Sequence, residues 1–272
     1  MTKTFIKMHG LGNDFAIFDG RLQKLEVTTG KIRALADRRT GIGFDQMVII
    51  GPAKSSDADV FLSIYNADGS EVGACGNASR CIAKLLINEL KKSAVVLETR
   101  AGKLKAKMAG GKVTVDMGKA NLRWKEIPLS HEEHVNFLPI NVGELKQPSA
   151  VNVGNPHAVF FVREVGKIPL ETLGPQIEHH PLFPERANVE IAEVISPSKV
   201  RVRVWERGVG ITQACGTGAC AVAVAGVRRG LTGRQVTVVL DGGELDIEWR
   251  ESDNHVLMTS DAAEVYRGEI DL

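Results

Sequence analysis

The stretch "ACGTGACAVAVAG", residues 214–226, has a close relative in "ACGNASRCIAKLL", residues 74–86. Both begin with Ala-Cys-Gly and continue with small and apolar residues and few charges. Such residues on nearly every face are typical of a helix that is enclosed by other structure. The two stretches therefore predict two buried helices, with Cys75 at the N-terminus of one and Cys215 at the N-terminus of the other.

These stretches belong to a longer internal repeat. "GNDFAIF" (residues 12–18) aligns with "GNPHAVF" (residues 154–160) at an offset of 142. "IYNADGSEVGACG" (residues 64–76) aligns with "VWERGVGITQACG" (residues 204–216) at an offset of 140. Because the segments recur in the same order at a nearly constant offset, we interpret the chain as a tandem duplication whose unit is a whole domain.

Polar residues at matching places in the two repeats are expected to line the same site. Three amides of the first repeat have a polar counterpart in the second, and the last pair lies nine residues before its cysteine in both repeats. The pairs are Asn13 with Asn155, Gln46 with Asn188, and Asn66 with Glu206.

The pattern outside the helices is that of strands. β-Branched and apolar residues alternate with polar ones in "AVFFV", "KVRVRVWER", "RQVTVVL" and "ELDIEW". We predict an α/β fold of two pseudo-symmetric domains, each a curved, mainly antiparallel sheet wrapped around a central helix. The predicted domains are residues 1–117, to which residues 262–272 return, and residues 118–261.

Composition excludes several classes of protein. The 272 residues include 34 basic and 33 acidic ones, for a net charge of +1, which does not favour nucleic acid or an anionic membrane as a partner. The N-terminal "MTKTFIKMHG" lacks an apolar signal region, and the longest apolar run, residues 219–227, is far shorter than the roughly 20 residues of a membrane span. We expect a cytoplasmic protein. Its four cysteines match no zinc spacing and are too few for a disulfide scaffold, so we predict reduced thiols and no metal.

A cysteine at a helix N-terminus has a chemical use. Unpaired backbone N–H groups and the helix dipole favour the thiolate, so its pKa is expected below the free value of about 8.5. The alternative is a small buried hydrophobic residue, which we keep for Cys81 and Cys220 inside the helices. The duplication favours chemistry for Cys75 and Cys215. Two thiols on opposite sides of a ligand suit inversion of a carbon next to a carboxylate, because one removes a proton while the other supplies one to the opposite face.

The residues after each cysteine have two interpretations. Gly76 with Asn77, and Gly216 with Thr217, could direct free N–H groups at a carboxylate or phosphate. They could equally form a tight strand-to-helix turn. The sequence by itself leaves both open.

Four motifs together closely resemble the diaminopimelate epimerase family: "MHGLGNDF", "NADGSEVGACGNASRC", "NPHAV" and "ERGVGITQACGTGACA", which span residues 8–221. The resemblance implies an isomerase without a cofactor that converts LL-diaminopimelate to the meso form for lysine and peptidoglycan precursors. It also implies two pseudo-symmetric α/β domains, in agreement with the repeat.

The resemblance implies roles for individual residues. Cys75 and Cys215 correspond to the catalytic acid and base, and His157 and Glu206 to residues that modulate the thiol pKa values. Tyr266 corresponds to a dimer contact, so a homodimer is expected. Arg207 would pair with the distal carboxylate of the substrate. The implied substrate-binding residues are Asn13, Gln46, Asn66, Gly76, Asn77, Asn155, Asn188, Glu206, Arg207, Gly216 and Thr217.

Without the resemblance, several of these residues have ordinary interpretations. His157 alone would be a hydrogen-bonded structural histidine, Arg207 a surface arginine and Tyr266 a strand aromatic, whereas Glu206 alone could equally be an exposed carboxylate. The chain also departs from the family at Ala78, where a glycine is common. We expect Ala78 to be tolerated and to favour the helix, with a risk of crowding the substrate.

Three other functions remain open from the sequence. A proline racemase or hydroxyproline epimerase would use the same pair of cysteines on another amino acid. A thiol redox protein would join Cys75 and Cys215 in a reversible disulfide. A pyridoxal enzyme would need a lysine, and no lysine stands out.

Overall fold

A computed structural model describes residues 2–272, which form two compact units. The first unit is Met1–Asp116 together with Ser260–Leu272, and the second is Met117–Thr259. The sequence placed its domain boundaries at 117/118 and 261/262. The assignment of residues 1–117 with 262–272, and of residues 118–261, to two repeat domains remains a prediction.

The first part of the chain contains eight strands and two helices. In chain order they are β1 (Thr2–Gly10), β2 (Asn13–Asp19), α1 (Thr29–Ala36), β3 (Gln46–Pro52), β4 (Val60–Asn66), β5 (Glu71–Val72), α2 (Gly76–Leu90), β6 (Ala94–Thr99), β7 (Gly102–Ala109) and β8 (Lys112–Lys119).

The rest of the chain contains eleven strands, two α-helices and a short 3-10 helix. In chain order they are β9 (Asn141–Val142), β10 (Leu145–Lys146), β11 (Ser149–Asn152), β12 (Pro156–Val162), the 3-10 helix (Val165–Lys167), α3 (Leu170–Glu178), β13 (Asn188–Ser196), β14 (Lys199–Glu206), β15 (Gly210–Thr212), α4 (Gly216–Arg228), β16 (Gln235–Leu240), β17 (Gly243–Trp249), β18 (His255–Ser260) and β19 (Ala263–Asp271).

Within the first unit the sheet is mainly antiparallel. β1 pairs with β2 and with β19, so the C-terminal strand returns to this unit. β3 pairs antiparallel with β4, β4 with β5, β6 with β7, and β7 with β8. The parallel pairs are β2 with β3 and β4 with β6.

The second unit repeats this pattern of pairing. β11 pairs antiparallel with β12, β13 with β14, β14 with β15, β16 with β17, and β17 with β18. Its parallel pairs, β12 with β13 and β14 with β16, stand where β2 with β3 and β4 with β6 stand in the first unit. Because sequence order, strand direction and helix position all recur, the structure confirms the predicted duplication of the fold.

The sheet of the second unit must curve around helix α4. This helix packs against β11, β12, β13, β16 and β17. A flat sheet of the six strands β11, β12, β13, β14, β16 and β17 would be roughly 24 Å wide, about twice the diameter of one helix, so only a curved sheet brings the outer strands to it. Residues 219–225 of the helix are at most 1% exposed. The Ala-rich sequence follows from this enclosure, because small side chains let strands approach the helix from several sides.

In the first unit, helix α2 packs against β1, β6 and β7. Its first eight residues, 76–83, are buried, whereas its last turn is exposed. The sequence predicted both helices and the strands quoted above. It did not predict α1 or α3, which are short, and α3 contains Pro175. Among residues 2–272, no helix is long and apolar enough to cross a membrane.

The strand register determines which polar residues of the site stand beside one another. Phe15 of β2 stands beside Gln46 of β3, and His157 of β12 stands beside Asn188 of β13. Gln46 in turn stands beside Asn66 of β4. Gln46 and Asn188, one of the residue pairs found in the sequence, thus occupy matching strand positions in their own units.

Candidate active site

Both cysteines that open the repeated helices occupy the N-cap position. Cys75 precedes α2 with φ −146° and ψ 117°, and Cys215 precedes α4 with φ −119° and ψ 111°. N–H groups in the first turn of a helix have no partner within the helix. The Cys215 side chain accepts from one of them, the Gly218 N–H, whereas the Cys75 side chain makes no such cap hydrogen bond. The N-terminal placement predicted from sequence is correct for both cysteines.

The first half-site comprises Cys75, Asn13, Asn77, Gln46 and Asn66. The Cys75 thiol faces the Oδ1 atom of Asn13 at 3.9 Å, and Asn77 donates from Nδ2 to the same oxygen at 3.3 Å. Cys75 is partly exposed. The amide oxygen of Asn13 is therefore the acceptor that the first thiol faces in this structure.

A carboxylate fixes the orientation of Asn13. Its Nδ2 atom donates to Asp45 at 2.9 Å, and because a carboxylate only accepts, Oδ1 of Asn13 must point the other way, to Cys75. Arg38 donates to Asp45 at 2.7 Å and to Asp14 at 2.8 Å, and Lys7 lies 2.7 Å from Asp14. Burial would raise the pKa of Asp14, but hydrogen bonds from Arg38 and Lys7 lower it to about 2.

Gln46 and Asn66 form a second chain of amides in the same unit. Nε2 of Gln46 donates to Oδ1 of Asn66 at 2.9 Å, and Nδ2 of Asn66 donates to Ser70 at 3.0 Å. The Oε1 atom of Gln46 is buried, and it accepts no hydrogen bond from any of residues 2–272. A buried acceptor without a partner suits the N–H group of a ligand.

The second half-site comprises Cys215, Glu206, His157, Asn155 and Asn188. Cys215 is only 4% exposed. Its sulfur accepts from the Gly218 N–H at 3.4 Å and lies 3.4 Å from the hydroxyl of Thr217.

The pKa of Cys215 differs from what its position at a helix N-terminus predicts. Burial raises it well above the usual thiol range, and the carboxylates of Glu206 and Glu190 raise it further, while Thr217 and Gly218 lower it. The prediction of a lowered pKa is therefore wrong for Cys215 in this structure. The helix dipole stabilises an anion only modestly, whereas burial beside two carboxylates disfavours one strongly.

Glu206 is the acid next to this thiol. Burial raises its pKa, whereas a hydrogen bond from Thr212 at 2.5 Å and the positive charge at His157 lower it. Glu206 is thus not the exposed carboxylate that its sequence alone suggests. A carboxylate whose pKa is raised by burial holds and releases protons closer to neutral pH.

His157 is completely buried between two hydrogen-bond partners. Its Nδ1 atom lies 2.7 Å from Oε1 of Glu190, and its Nε2 atom lies 2.8 Å from Oδ1 of Asn155. Both His157 and Glu190 are 0% exposed. The ordinary interpretation of His157 as a hydrogen-bonded histidine holds structurally, and its partner is a second buried ionisable group.

Asn188 and Arg207 are bound mainly to backbone in this structure. Asn188 donates to the carbonyl of Pro156 at 3.0 Å and accepts from the Arg207 N–H at 2.9 Å. The guanidinium of Arg207 donates to the carbonyl of Glu185 at 2.8 Å. Their roles as substrate contacts stay predictions.

The remaining predicted residues divide into two groups. Gly76, Gly216 and Thr217 lie in the first turns of the helices, next to the thiols. Tyr266 belongs to β19, packs edge-on against Phe5, and is 45% exposed. It takes no part in either half-site.

The alternative interpretation of the other cysteines fits the structure. Cys81 and Cys220 are completely buried inside helices. Burial raises the pKa of Cys81 to about 12, which makes it an inert thiol. Among residues 2–272, no group of three or more His, Cys, Asp or Glu side chains is placed to hold a metal ion.

Comparison with known proteins assigns the family. The family model for diaminopimelate epimerase matches residues 5–123 and 149–265. The chain is 51% identical over 271 residues to the diaminopimelate epimerase of Rhodospirillum centenum, covering 99% of this chain and 93% of the relative. It is 52% identical over 272 residues to that of Erythrobacter litoralis, covering 100% and 98%. The chain belongs to the diaminopimelate epimerase family.

Membership in the diaminopimelate epimerase family makes the chain an isomerase and confirms the resemblance seen in the four motifs. Eight relatives at 45–52% identity over nearly the whole chain are all named diaminopimelate epimerase, so the proline racemase alternative is not favoured.

Solved structures confirm the fold. The chain resembles a hydroxyproline epimerase from Agrobacterium vitis with bound trans-4-OH-L-proline, at a TM-score of 0.68 and 18% identity over 99% of this chain and 92% of the other. It also resembles a PhzF-family phenazine biosynthesis protein of Bacillus anthracis, at a TM-score of 0.69 and 16% identity over 100% of both chains. At these identities the likeness concerns the fold alone.

Two residues of the site in this member of the diaminopimelate epimerase family were not predicted from the sequence. Asp45 orients Asn13, and Glu190 binds His157. Glu190 left a signal, because it is a charged residue in the otherwise apolar strand segment "NVEIA" and falls opposite Val48 in the repeat. Asp45 left none, since acidic residues before a strand are common in loops.

Proposed function

We propose that this chain is a diaminopimelate epimerase, which inverts one α-carbon of LL-2,6-diaminopimelate to give the meso form without a cofactor. The observation that carries the proposal is the identity of about half of all residues to named diaminopimelate epimerases along the whole chain. The paired N-cap cysteines support it, because each repeat supplies one group that can exchange a proton.

The proposed reaction uses Cys75 and Cys215 as a base and an acid. The thiolate of one cysteine takes the α-proton from one face of the carbon, which leaves a planar carbanion conjugated with the carboxylate. The thiol of the other cysteine then gives its proton to the opposite face. One proton leaves and one arrives, so the product differs from the substrate only in configuration. The reverse reaction exchanges the roles.

Before this step, one thiol must lose its proton. The Cys75 thiol faces an acceptor, Asn13. Burial with two carboxylates raises the pKa of Cys215, so the protein without substrate favours the protonated form of that thiol. Glu206, whose pKa is raised by burial beside Cys215, can take up this proton, and the charge of the neighbouring His157 influences how readily it does so. We therefore propose that they modulate the state of the thiols, as the family resemblance implies.

Substrate groups have matching partners in the half-sites. The first-turn N–H groups at Gly76, Asn77, Gly216 and Thr217 would bind the α-carboxylate and stabilise the negative charge that grows on it. The unpartnered Oε1 of Gln46 would accept from an ammonium group. The remaining proposed contacts are the amides Asn13, Asn66, Asn155 and Asn188, with Glu206, and Arg207 for the distal carboxylate.

The test follows hydrogen exchange at the α-carbon. The purified protein, dialysed and without added cofactor, is incubated in deuterated water with LL-diaminopimelate, L-proline or trans-4-hydroxy-L-proline. We expect deuterium in diaminopimelate together with formation of the meso isomer. Label in proline or hydroxyproline alone would contradict the substrate assignment, and exchange that requires added pyridoxal phosphate would contradict the cofactor-independent mechanism.

The proposal includes a cytoplasmic homodimer in the supply of lysine and peptidoglycan precursors. Supporting the dimer, β19 exposes Tyr266 and Val265, which are 45% and 56% exposed. Sedimentation of the protein and of Tyr266→Glu and Leu22→Glu variants tests this. We expect a dimer that only the Tyr266 variant disrupts, since Leu22 is a fully exposed apolar residue elsewhere. A wild-type monomer would contradict the dimer.

A further inference from the structure

The second half-site contains a buried ion-pairing group that the proposed mechanism does not use. Glu190 lies on β13, is 0% exposed, and its Oε1 atom is 2.7 Å from Nδ1 of His157. Its other oxygen, Oε2, accepts no hydrogen bond from any of residues 2–272. Since removing a carboxylate from water is costly unless its charge is compensated, a buried glutamate with a single partner depends on that partner.

The partners of His157 fix its protons. An ionised Glu190 only accepts, so Nδ1 must carry a proton. Nε2 faces Oδ1 of Asn155 at 2.8 Å, which is also an acceptor, so with Glu190 ionised this orientation of the amide matches a proton on both nitrogens. When Nε2 gives up its proton, Asn155 has to turn its amide to present Nδ2. Only Nε2, the nitrogen that faces the predicted substrate residue Asn155, then gains and loses a proton.

The first unit lacks this arrangement. At the register positions of His157 and Glu190 it has Phe15 and Val48, which are both 0% exposed. The same space in the duplicated fold is thus filled by two apolar side chains, so packing does not require an ionisable pair there. The pair is present in one repeat only, which points to chemistry and not to folding.

Glu190 also lies against the helix turn that holds the second thiol. A Cβ atom placed on Gly218 would lie 2.8 Å from Oε1 of Glu190 and 3.3 Å from Cβ of Cys215. The negative charge of Glu190 is one cause of the raised pKa of Cys215. The ionisable groups around the His157–Glu190 pair are therefore Glu206 on β14, which interacts with both members, and Cys215 at the start of α4, which interacts with Glu190.

We propose that Glu190 is a positioning residue for His157: its carboxylate holds a proton on Nδ1, stabilises the charged ring, and leaves Nε2 as the nitrogen that exchanges protons beside Asn155. This proposal rests on the proposed function, in which His157 takes part in setting the protonation of the thiols. Glu190 itself contacts neither thiol nor substrate in this account.

The test compares full-length wild type with Glu190→Gln, which has nearly the same shape and can still accept from Nδ1. Protein with ¹⁵N-labelled histidine is titrated by NMR. We expect Nδ1 to stay protonated in the wild type while only Nε2 titrates. In the variant, loss of the buried negative charge should move the Nε2 titration to lower pH by at least about one unit. A purely packing role would leave the titration unchanged, and that result would overturn the proposal.

Kinetics add a second measurement. We expect Glu190→Gln to lower kcat about 10- to 100-fold with little change in KM, since groups that orient a functional histidine have effects of that size. The acidic limb of its kcat–pH profile should shift together with the NMR titration. The matched control is Glu193→Gln on the same strand, which should change neither. Wild-type rates in the variant, or a limb that does not shift, would argue against Glu190.

The two proposals fail in distinguishable ways. If the wild type does not exchange the α-hydrogen of diaminopimelate, the proposed function fails, whereas the NMR titration still decides how Glu190 acts on His157. If exchange occurs but the titration is unchanged in Glu190→Gln, only the proposal for Glu190 fails.

Discussion

The two half-sites share a frame but not an environment. In the first, the partly exposed Cys75 faces an amide that is held by a network of charges, Arg38 with Asp45 and Asp14. In the second, Cys215 is buried beside carboxylates and a histidine that are themselves largely withdrawn from water. The two repeats share the strand register and the N-cap cysteine, whereas different residues next to them give the two thiols different electrostatic surroundings.

Four substitutions account for the difference. Three of them place an ionisable residue in the second repeat where the first has an apolar or neutral one. The fourth places a smaller residue there. In the order first repeat and second repeat they are Phe15 and His157, Val48 and Glu190, Asn66 and Glu206, and Ala78 and Gly218. In the proposed mechanism the two thiols differ in charge at any moment, one acting as the base and the other as the acid, and they exchange these roles in the reverse reaction.

The largest expected effect comes from removing either thiol. Cys75→Ser and Cys215→Ser should each lower the rate of inversion about 10³-fold or more, because a hydroxyl is a poor base and each face of the carbon needs its own group. Conversion of LL- to meso-diaminopimelate measures this. Cys81→Ala, inside helix α2, is the control and should retain activity. If one serine variant kept normal turnover, the two half-sites would not share the reaction.

Glu206→Gln should have the next largest effect on activity. The change makes the second half-site more like the first, which has the amide Asn66 at the matching position. We expect kcat to fall about 100-fold, since a proton acceptor beside Cys215 is lost.

The same variant should be more stable at neutral pH. Because burial raises the pKa of Glu206, the folded state favours its protonated form, and the stability from this group is lost as pH rises through the folded pKa. A neutral amide avoids that loss, so Tm at pH 7 should rise while activity falls. The variant for comparison is Asn66→Asp, which makes the reciprocal change in the first half-site. A Tm that falls in Glu206→Gln would show that its charge stabilises the fold.

Exchanging the small residue three positions after each cysteine should have a smaller effect on stability and activity, and the effect should differ between the two half-sites. Gly218→Ala would place a methyl group 2.8 Å from Oε1 of Glu190, which is held by His157 and has little room to move. We expect a loss of about 1–3 kcal/mol in the free energy of unfolding and roughly tenfold in kcat.

Ala78→Gly is the matched change in the first repeat, where Val48 replaces the glutamate. It should cost about 1 kcal/mol through helix propensity and leave kcat within about twofold. Denaturant unfolding and the inversion assay measure both variants. Equal losses of activity in the two would mean that Glu190 does not distinguish the half-sites.

The smallest expected effect concerns acid stability of the first half-site. The pKa of Asp14 is lowered to about 2, so its contribution is present above the unfolded value of 3.8 and is lost as pH falls from about 4 toward 2. Asp14→Asn should lower Tm at pH 6 by roughly 3 °C and reduce the further drop between pH 5 and pH 3. The control is Glu251→Gln on the surface. An unchanged pH dependence in Asp14→Asn would argue against the charge network.

The sequence by itself determined the repeat, and through it much of the fold. Two Ala-Cys-Gly openings with small-residue helices behind them, at a nearly constant offset, predicted two enclosed helices with N-cap cysteines, and the structure has both. Helices α1 and α3 were missed because eight or nine residues give too little periodicity to be recognised. Repetition made the polar pairs visible as well, since equivalent strand positions need no knowledge of distant contacts.

Only the tertiary structure decided the electrostatic state of the site. The helix N-terminus predicted a lowered thiol pKa, but the raised pKa of Cys215 depends on how deeply it is buried and on carboxylates from β13 and β14. Likewise the bonds from Asp45 to Asn13 and from Glu190 to His157 join residues 32 or 33 positions apart. Local sequence fixes backbone conformation, because the interactions that set it are near in the chain. Charge and solvation depend on which strands become neighbours, so they appear only when the chain is folded.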